Sequence, residues 1–261
     1  MTKLGPLGAT HSALDTDTAV AVELEELGYD TLWLAGGQGN NLPRITELVR
    51  GTSRIQVASG ILSVDRVPSA SVASAYTELP AGRFVVGLGG AHGPRPLATL
   101  GDYLDEIEDV VPPSARILSA LGPRMLELAR DRAAGAYPYL VTPDYIASAR
   151  EILGAGKQLA VLLNVVAETD ATAARDAIRG GGLRFLTGLP GYAANLRRMG
   201  FTDGDLADLS DRLVDGVAVW GGFDAVAERL REYRAAGADQ VVVRLDGLPR
   251  EWWPRLVEAL A

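Results

Sequence analysis

The sequence predicts an α/β fold: a closed (β/α)8 TIM barrel formed by a single domain over residues 1–261. Three observations point there. Apolar strand-like runs alternate with helical patterns along the chain, the signature of parallel βαβ units. Eight such runs can be counted, and eight close a barrel more economically than they fill an open doubly wound sheet, the competing solution. The length of 261 residues suits an architecture that typically takes about 250.

The first run is Leu4 to Ala9, followed by a helix from Asp15 to Leu27 on which Val20, Leu24 and Leu27 share a face and which Gly28 stops. Thr31 to Ala35 is the second strand, and a short helix near Ile45 to Val49 leads to the third, Ile55 to Gly60. A helix over Val67 to Leu79 returns the chain to the fourth strand, Arg83 to Leu88. An irregular excursion, Gly89 to Pro113, carries one acidic helix before the fifth strand, Ala115 to Ala120. There Gly122 frees the backbone and Pro123 opens a helix to Ala133, because the missing proline N–H would be unpaired at a first helical position anyway. Tyr137 to Val141 is the sixth strand, and Pro143 opens a helix through Leu153. The seventh strand, Leu159 to Val166, is followed by a long second excursion of helical patterns. Gln240 to Leu245 is the eighth strand, and a helix over Trp252 to Leu260 closes the chain.

Composition removes several classes of function. A formal charge of -8, with Lys3 and Lys157 the only lysines, argues against a nucleic-acid binder, which needs clustered cations. No apolar stretch approaches the ~20 residues of a membrane span and no secretory leader is visible, so a cytoplasmic protein is expected. With no cysteine and only His11 and His92, no metal site is expected. The acidic set Asp102, Asp105, Glu106 and Asp109 reads as the solvated face of a helix, since nothing supplies complementary ligands.

In such barrels the site lies at the carboxyl mouth, in the loops that leave each strand. That rule selects Thr10 and His11, Gly36 to Asn41, Ser59 to Ser63, Gly89 to Gly93, Leu121 to Arg124, Thr142, Glu168, Asp246 and Gly247. The mouth is rich in glycine, at Gly36, Gly37, Gly39, Gly60, Gly89, Gly90 and Gly93, which lets backbone approach a flat ligand or a phosphate. His92, in GLGGAHGP, is the candidate catalytic residue, able to donate or orient a proton; His11 is a second candidate that would equally serve as a cap. GLGGAH is not a dinucleotide fingerprint, because the third glycine is missing and Pro94 and Pro96 prevent the immediate helix. The helix start at Leu121 to Met125 offers unpaired N–H groups and a positive dipole end to a phosphate or carboxylate, with Arg124 as counter-charge. Asn164, polar within an apolar strand, needs a partner if buried. Few acids, bases or nucleophiles are on offer, so a bound cofactor carrying the chemistry is a natural expectation.

Several stretches then resemble a known family, the luciferase-like flavin and deazaflavin oxidoreductases. GYDTLWLAGG, TSRIQVASGIL and PAGRFVVGLGGAH look like its second, third and fourth strands. LSALGPRMLELARDRAAGAYPYLVTPDYIASAREILG, NLRRMGF and SDRLVDGVAVWGGFDAVAERLREYRAAGADQVVV are similar to its probable coenzyme F420-dependent subgroup. The resemblance implies a luciferase-like barrel with excursions after strands 4 and 7 that transfers hydride between reduced coenzyme F420 and a small organic substrate with a C=C, C=N or C=O bond. FMN with oxygen, as in a monooxygenase, or cofactor binding without turnover are the alternatives. By the same resemblance a non-proline cis peptide is expected at Ser59-Gly60, beside Ile61, where the ring system would rest. The cofactor phosphate maps onto Ala120, Leu121, Gly122, Pro123 and Arg124, with Gly89, Gly90 and Thr142 completing the cofactor contacts. A homodimer is the implied assembly. Departures from the family pattern fall at the mouth: AGGQGNN lacks the histidine or acid usual after the second strand, Leu159 to Val166 lacks a glutamate-glutamine pair, Gly191-Tyr192 replaces a proline-asparagine-tyrosine pattern, and the connection between Gly90 and Pro113 is short.

Overall fold

The computed structural model describes residues 3–36 and 39–260. Gly37, one of the mouth glycines, lies outside the described residues. Eight parallel strands close on themselves: β1 (Leu7–Ser12), β2 (Thr31–Ala35), β3 (Gln56–Gly60), β4 (Phe84–Gly89), β5 (Arg116–Leu118), β6 (Gly135–Ala136), β7 (Gln158–Leu163) and β8 (Gln240–Arg244). Pairing of β1 with β8 and of β3 with β4 completes the ring, so no edge is left for another chain to extend. After β3 the two residues Leu62–Ser63 run on beside the end of β4. No described helix is long and apolar enough to cross a membrane.

The first helices are α1 (Thr18–Leu27), α2 (Leu42–Gly51), α3 (Ser69–Glu78), α4 (Pro96–Glu106), α5 (Pro123–Arg132) and α6 (Pro143–Leu153). The second excursion supplies α7 (Ala171–Ile178), α8 (Arg184–Thr187), α9 (Pro190–Arg198), α10 (Asp203–Asp208) and α11 (Asp211–Val217), which pack as a separate cluster around Leu196, Phe201 and Leu213. The last helices are α12 (Phe223–Ala235) and α13 (Trp252–Leu260). Starts are set by local chemistry: Asp17 caps α1 and Thr142 caps α6, and proline opens α5, α6 and α9.

Period-2 alternation explains both layers of the barrel. Val57, Val86, Leu118, Val161 and Val243 face the helices, whereas Trp33, Ala58, Val85, Ile117, Ala160 and Val242 fill the interior. The floor is tied by side-chain hydrogen bonds. Trp33 Nε1 donates to Gln240 Oε1 at 2.9 Å, and Gln240 Nε2 donates to the Leu4 carbonyl at 2.6 Å. At the same amino rim, the Glu25 carboxylate accepts from the amides of Ser53, Arg54 and Ile55, just before β3. Burial acts to raise its carboxyl pKa, but those three donors and the Arg54 charge outweigh it and hold Glu25 below the usual carboxylate range.

Four expectations shift. The first strand is Leu7–Ser12 instead of Leu4 to Ala9, since Gly5 turns with φ +72° and Leu4 is left under the barrel floor. The regular part of the sixth strand is Gly135–Ala136; beyond it Pro138 has no N–H to donate and Leu140 sits at φ +57°, so only Tyr139 bridges, to Leu162. The seventh run divides at Asn164, because Val165–Val166 leaves the barrel to pair with Val219–Trp220. The cis peptide joins Gly60 and Ile61, one bond later than Ser59-Gly60.

Candidate functional site

Two groups of residues meet at the carboxyl rim. The first lies on the barrel axis. Alternation along β8 that turns Gln240 and Val242 inward also turns Arg244 inward, level with Thr10 of β1. Tyr137 stacks on Trp33 with ring centroids 4.0 Å apart, and Ile61 and Tyr139 pack over the inner cluster. Ile61 lies over Gly89, where a Cβ would come within 3.3 Å of the Ile61 Cδ1 and 2.7 Å of Ser119 Cβ. Glycine is therefore required there for close approach. Gly90 adopts φ +70° and its carbonyl accepts from Ser63 Oγ at 3.1 Å. Ser59, expected to touch a cofactor, is buried and its hydroxyl bridges the backbone of Gly87, donating to the carbonyl at 2.9 Å and accepting from the amide at 2.8 Å. Its side chain is engaged in joining β3 to β4.

The second group lines a cavity of about 530 Å3 between α5, α6, α9 and α11. Leu121, Pro123 and Thr142 line it, as the sequence suggests. Gly122 is the N-cap of α5, with no side-chain cap. Among the described residues the amides of Leu121, Gly122 and Arg124 donate to no protein acceptor. Ala120 is buried beneath, and the carbonyls of Ala120 and Leu121 accept from the Tyr145 hydroxyl at 3.3 and 2.8 Å. The carbonyls are thus covered by the protein while the amides stay open. Burial pushes the Tyr145 hydroxyl pKa well up, so it remains a donor.

Arg124, expected as the counter-charge, is exposed and stands outside the cavity lining. Arg198 of α9 holds that position: a Cβ on Gly122 would lie 3.3 Å from its Nη2, and Nη2 donates to Asn195 Oδ1 at 3.1 Å. Among the described residues Arg198 has no carboxylate partner, whereas neighbouring Arg212 pairs with Asp205 at 2.9 Å. Asn195 is buried and its Nδ2 has no hydrogen-bond partner. The orphan Asn195 Nδ2, the open Leu121 amide and the Arg198 guanidinium, which has no carboxylate partner among the described residues, line one cavity together with Arg212 and the exposed Asp144 carboxylate, and the donors outnumber that one acid in a set that fits a phosphate. Helix α9 connects the two groups, for Tyr192, one turn before Asn195, meets Tyr139 edge-on at 6.5 Å.

The two histidines part company. His92 stands exposed after β4, its amide donating to Asp65 Oδ2 at 2.8 Å and its ring without a hydrogen bond to protein among the described residues. His11 faces outward from β1, with Nδ1 3.0 Å from Thr16 Oγ1, Nε2 3.2 Å from Asp246 Oδ1 and Trp253 edge-on at 6.4 Å, an arrangement that ties β1 to the loop after β8. On α4, Asp105 pairs with Arg132 at 2.6 Å. Asn164 is half-buried and its carbonyl accepts from Val219. Sequence reasoning missed Tyr145, Asn195, Arg198 and Arg244. Only Arg244 left a local signal, as the one charge ending the apolar run VVVRL.

No family model matches the chain, and no curated protein matches it. Solved structures do. The coenzyme F420 dependent tetrahydromethanopterin reductase from Methanopyrus kandleri superposes with a TM-score of 0.74 at 17% identity, over 98% of both chains. An F420-dependent secondary alcohol dehydrogenase, solved with an F420-acetone adduct, gives 0.74 at 11% identity over 98% of both chains. The oxygenating constituent of 3,6-diketocamphane monooxygenase from the CAM plasmid of Pseudomonas putida, in complex with FMN, gives 0.66 at 14% identity over 98% of both chains. The chain accordingly shares the closed (β/α)8 barrel fold of these three proteins.

Proposed function

We propose that the protein is an oxidoreductase whose single domain, residues 1–261, holds a phosphate-bearing redox cofactor across its carboxyl rim, and that this cofactor is coenzyme F420. The observation that carries the reading is the cavity at the start of α5, which the open Leu121 amide, Arg198 and the orphan Asn195 Nδ2 line together. Two of the solved structures it resembles are named for F420 dependence and superpose with a TM-score of 0.74, against 0.66 for the FMN complex. When bound, the deazaflavin supplies hydride from its C5 to a C=C, C=N or C=O carbon, since the redox chemistry belongs to the cofactor.

The protein's own residues do the rest. Leu121, Gly122 and Pro123 shape the phosphate cradle, with Ala120 and Thr142 fixing its walls and Arg198 compensating the charge. Ser59, Gly60, Ile61, Gly89 and Gly90 form the backbone platform on which the ring system rests. His92, whose ring is free, donates or orients the proton that balances hydride transfer. A homodimer is the proposed assembly, which native mass spectrometry reports together with any bound cofactor.

Fluorescence titration of the purified chain with coenzyme F420, and separately with FMN, tests the reading. Binding of F420 tighter than FMN supports it. Tight FMN binding without F420 binding, together with oxygen consumed in step with substrate, would make the protein a flavin monooxygenase.

A further inference from the structure

The cofactor cradle leaves the substrate undefined, but the axis of the barrel carries its own unsatisfied donors. Arg244 reaches inward from β8 with its side chain 35% exposed, and its Nε is buried without a partner. The nearest carboxylate is Asp246, whose Oδ2 stands 4.0 Å from Nη1 and whose Oδ1 is drawn to His11 at 3.2 Å. That pairing leaves much of the guanidinium charge directed at the mouth. Tyr137, in the same layer, has a buried hydroxyl beside the Thr10 hydroxyl but in no well-formed hydrogen bond among the described residues, and a Cβ on Gly60 would lie 3.5 Å from it. Burial drives its pKa far up against the pull of Arg244, so the hydroxyl stays a donor. Around these two donors the walls are flat and apolar: Ile61, Leu162, Tyr139 and Tyr192. Buried donors cost free energy when left unmatched, so two of them facing one apolar space call for an acceptor from outside the chain.

We propose that Arg244 and Tyr137 together recognise a carboxylate, and that the substrate is a small planar organic acid, aromatic or α,β-unsaturated, laid against the Tyr139–Tyr192 pair. Arg244 supplies charge and a planar donor edge suited to two carboxylate oxygens. Tyr137 supplies a neutral donor fixed by its stack on Trp33. This inference rests on the oxidoreductase reading for its meaning as a substrate site, but not for its test.

The test uses the full chain without added cofactor, titrated with cinnamate and with its neutral counterpart cinnamamide and followed by ligand-observed NMR. Cinnamate should bind at least about tenfold more tightly than cinnamamide, the factor expected from one charge-assisted hydrogen bond. Arg244→Met should abolish that preference, Arg244→Lys should restore part of it, and Tyr137→Phe should weaken cinnamate by about three- to tenfold. Circular dichroism and Tm confirm that each variant is folded. Equal binding of acid and amide, no binding of either, or a preference that survives Arg244→Met would overturn the proposal. So would an Arg244→Met variant that loses F420 or FMN while keeping cinnamate, since the donors would then serve the cofactor. If the carboxylate preference is found and neither cofactor binds, the oxidoreductase reading fails and the acid site stands.

Discussion

The two ends of the barrel use polar groups in opposite ways. At the amino rim nearly every buried polar side chain is spent on the protein itself. Glu25 collects three amides, Gln240 joins Trp33 to Leu4, and Arg83 donates to Ile55 O at 3.0 Å and Thr52 Oγ1 at 2.7 Å. Where atoms are left over there, as at Arg116 Nη1 and Gln56 Oε1, other polar atoms of the same side chain are bonded. At the carboxyl rim the orphan groups are the ones in position to receive a ligand: Asn195 Nδ2, Tyr137 Oη, Arg244 Nε and the start of α5. At one end the polar groups close on the protein itself and at the other several are left open, the end where parallel barrels place their sites.

Changing residues at each end should separate the two roles. The largest effect is expected for His92→Ala, which should lower turnover by about a hundredfold or more while cofactor affinity stays within about twofold. Steady-state kinetics with a parallel titration checks this, and unchanged turnover would remove His92 from the mechanism. Next, Gly122→Asp places a carboxylate at the start of α5 within reach of Arg198. Like-charge repulsion and loss of that guanidinium should weaken phosphate-bearing cofactor by at least about tenfold, with little change in Tm. At the opposite rim, Glu25→Ala should leave cofactor affinity unaltered and cost about 1–3 kcal/mol of stability, by stranding the amides of Ser53, Arg54 and Ile55. Chemical denaturation reads that loss. The smallest effect concerns pH. The folded pKa of Glu25 lies below its ordinary value of 4.5, so its contribution is present above that value and declines as pH falls through the lower folded pKa. The stability difference between wild type and Glu25→Gln should therefore shrink in acid; a difference that grew would reverse the sign assigned to Glu25.

Strand order, the two excursions and the helix start at Pro123 were legible because they depend on local periodicity and on proline and glycine. Leu121, Pro123 and Thr142 could be placed in the cavity by the same logic, since the end of a parallel strand fixes which residues reach the mouth. Tyr145, Asn195 and Arg198 were not legible. They come from helices whose approach to α5 depends on how the second excursion folds back, a long-range packing fact with no period of its own. Arg124 is adjacent to the cradle in sequence, but this first-turn residue after Pro123 is exposed and does not line the cavity. The shortened sixth strand was missed because the apolar pattern of Tyr137 to Val141 continues past the point where Pro138 and Leu140 end regular pairing.

The central claim is that the open amides at α5 and the guanidinium of Arg198 receive the phosphate of a redox cofactor. Isothermal titration of wild type and Arg198→Met with coenzyme F420 tests it most directly. Wild type should bind coenzyme F420, and the variant should bind it about ten- to a hundredfold more weakly, the size expected for one charged hydrogen-bond donor. Equal affinity in the two proteins, or no binding to wild type, would contradict it.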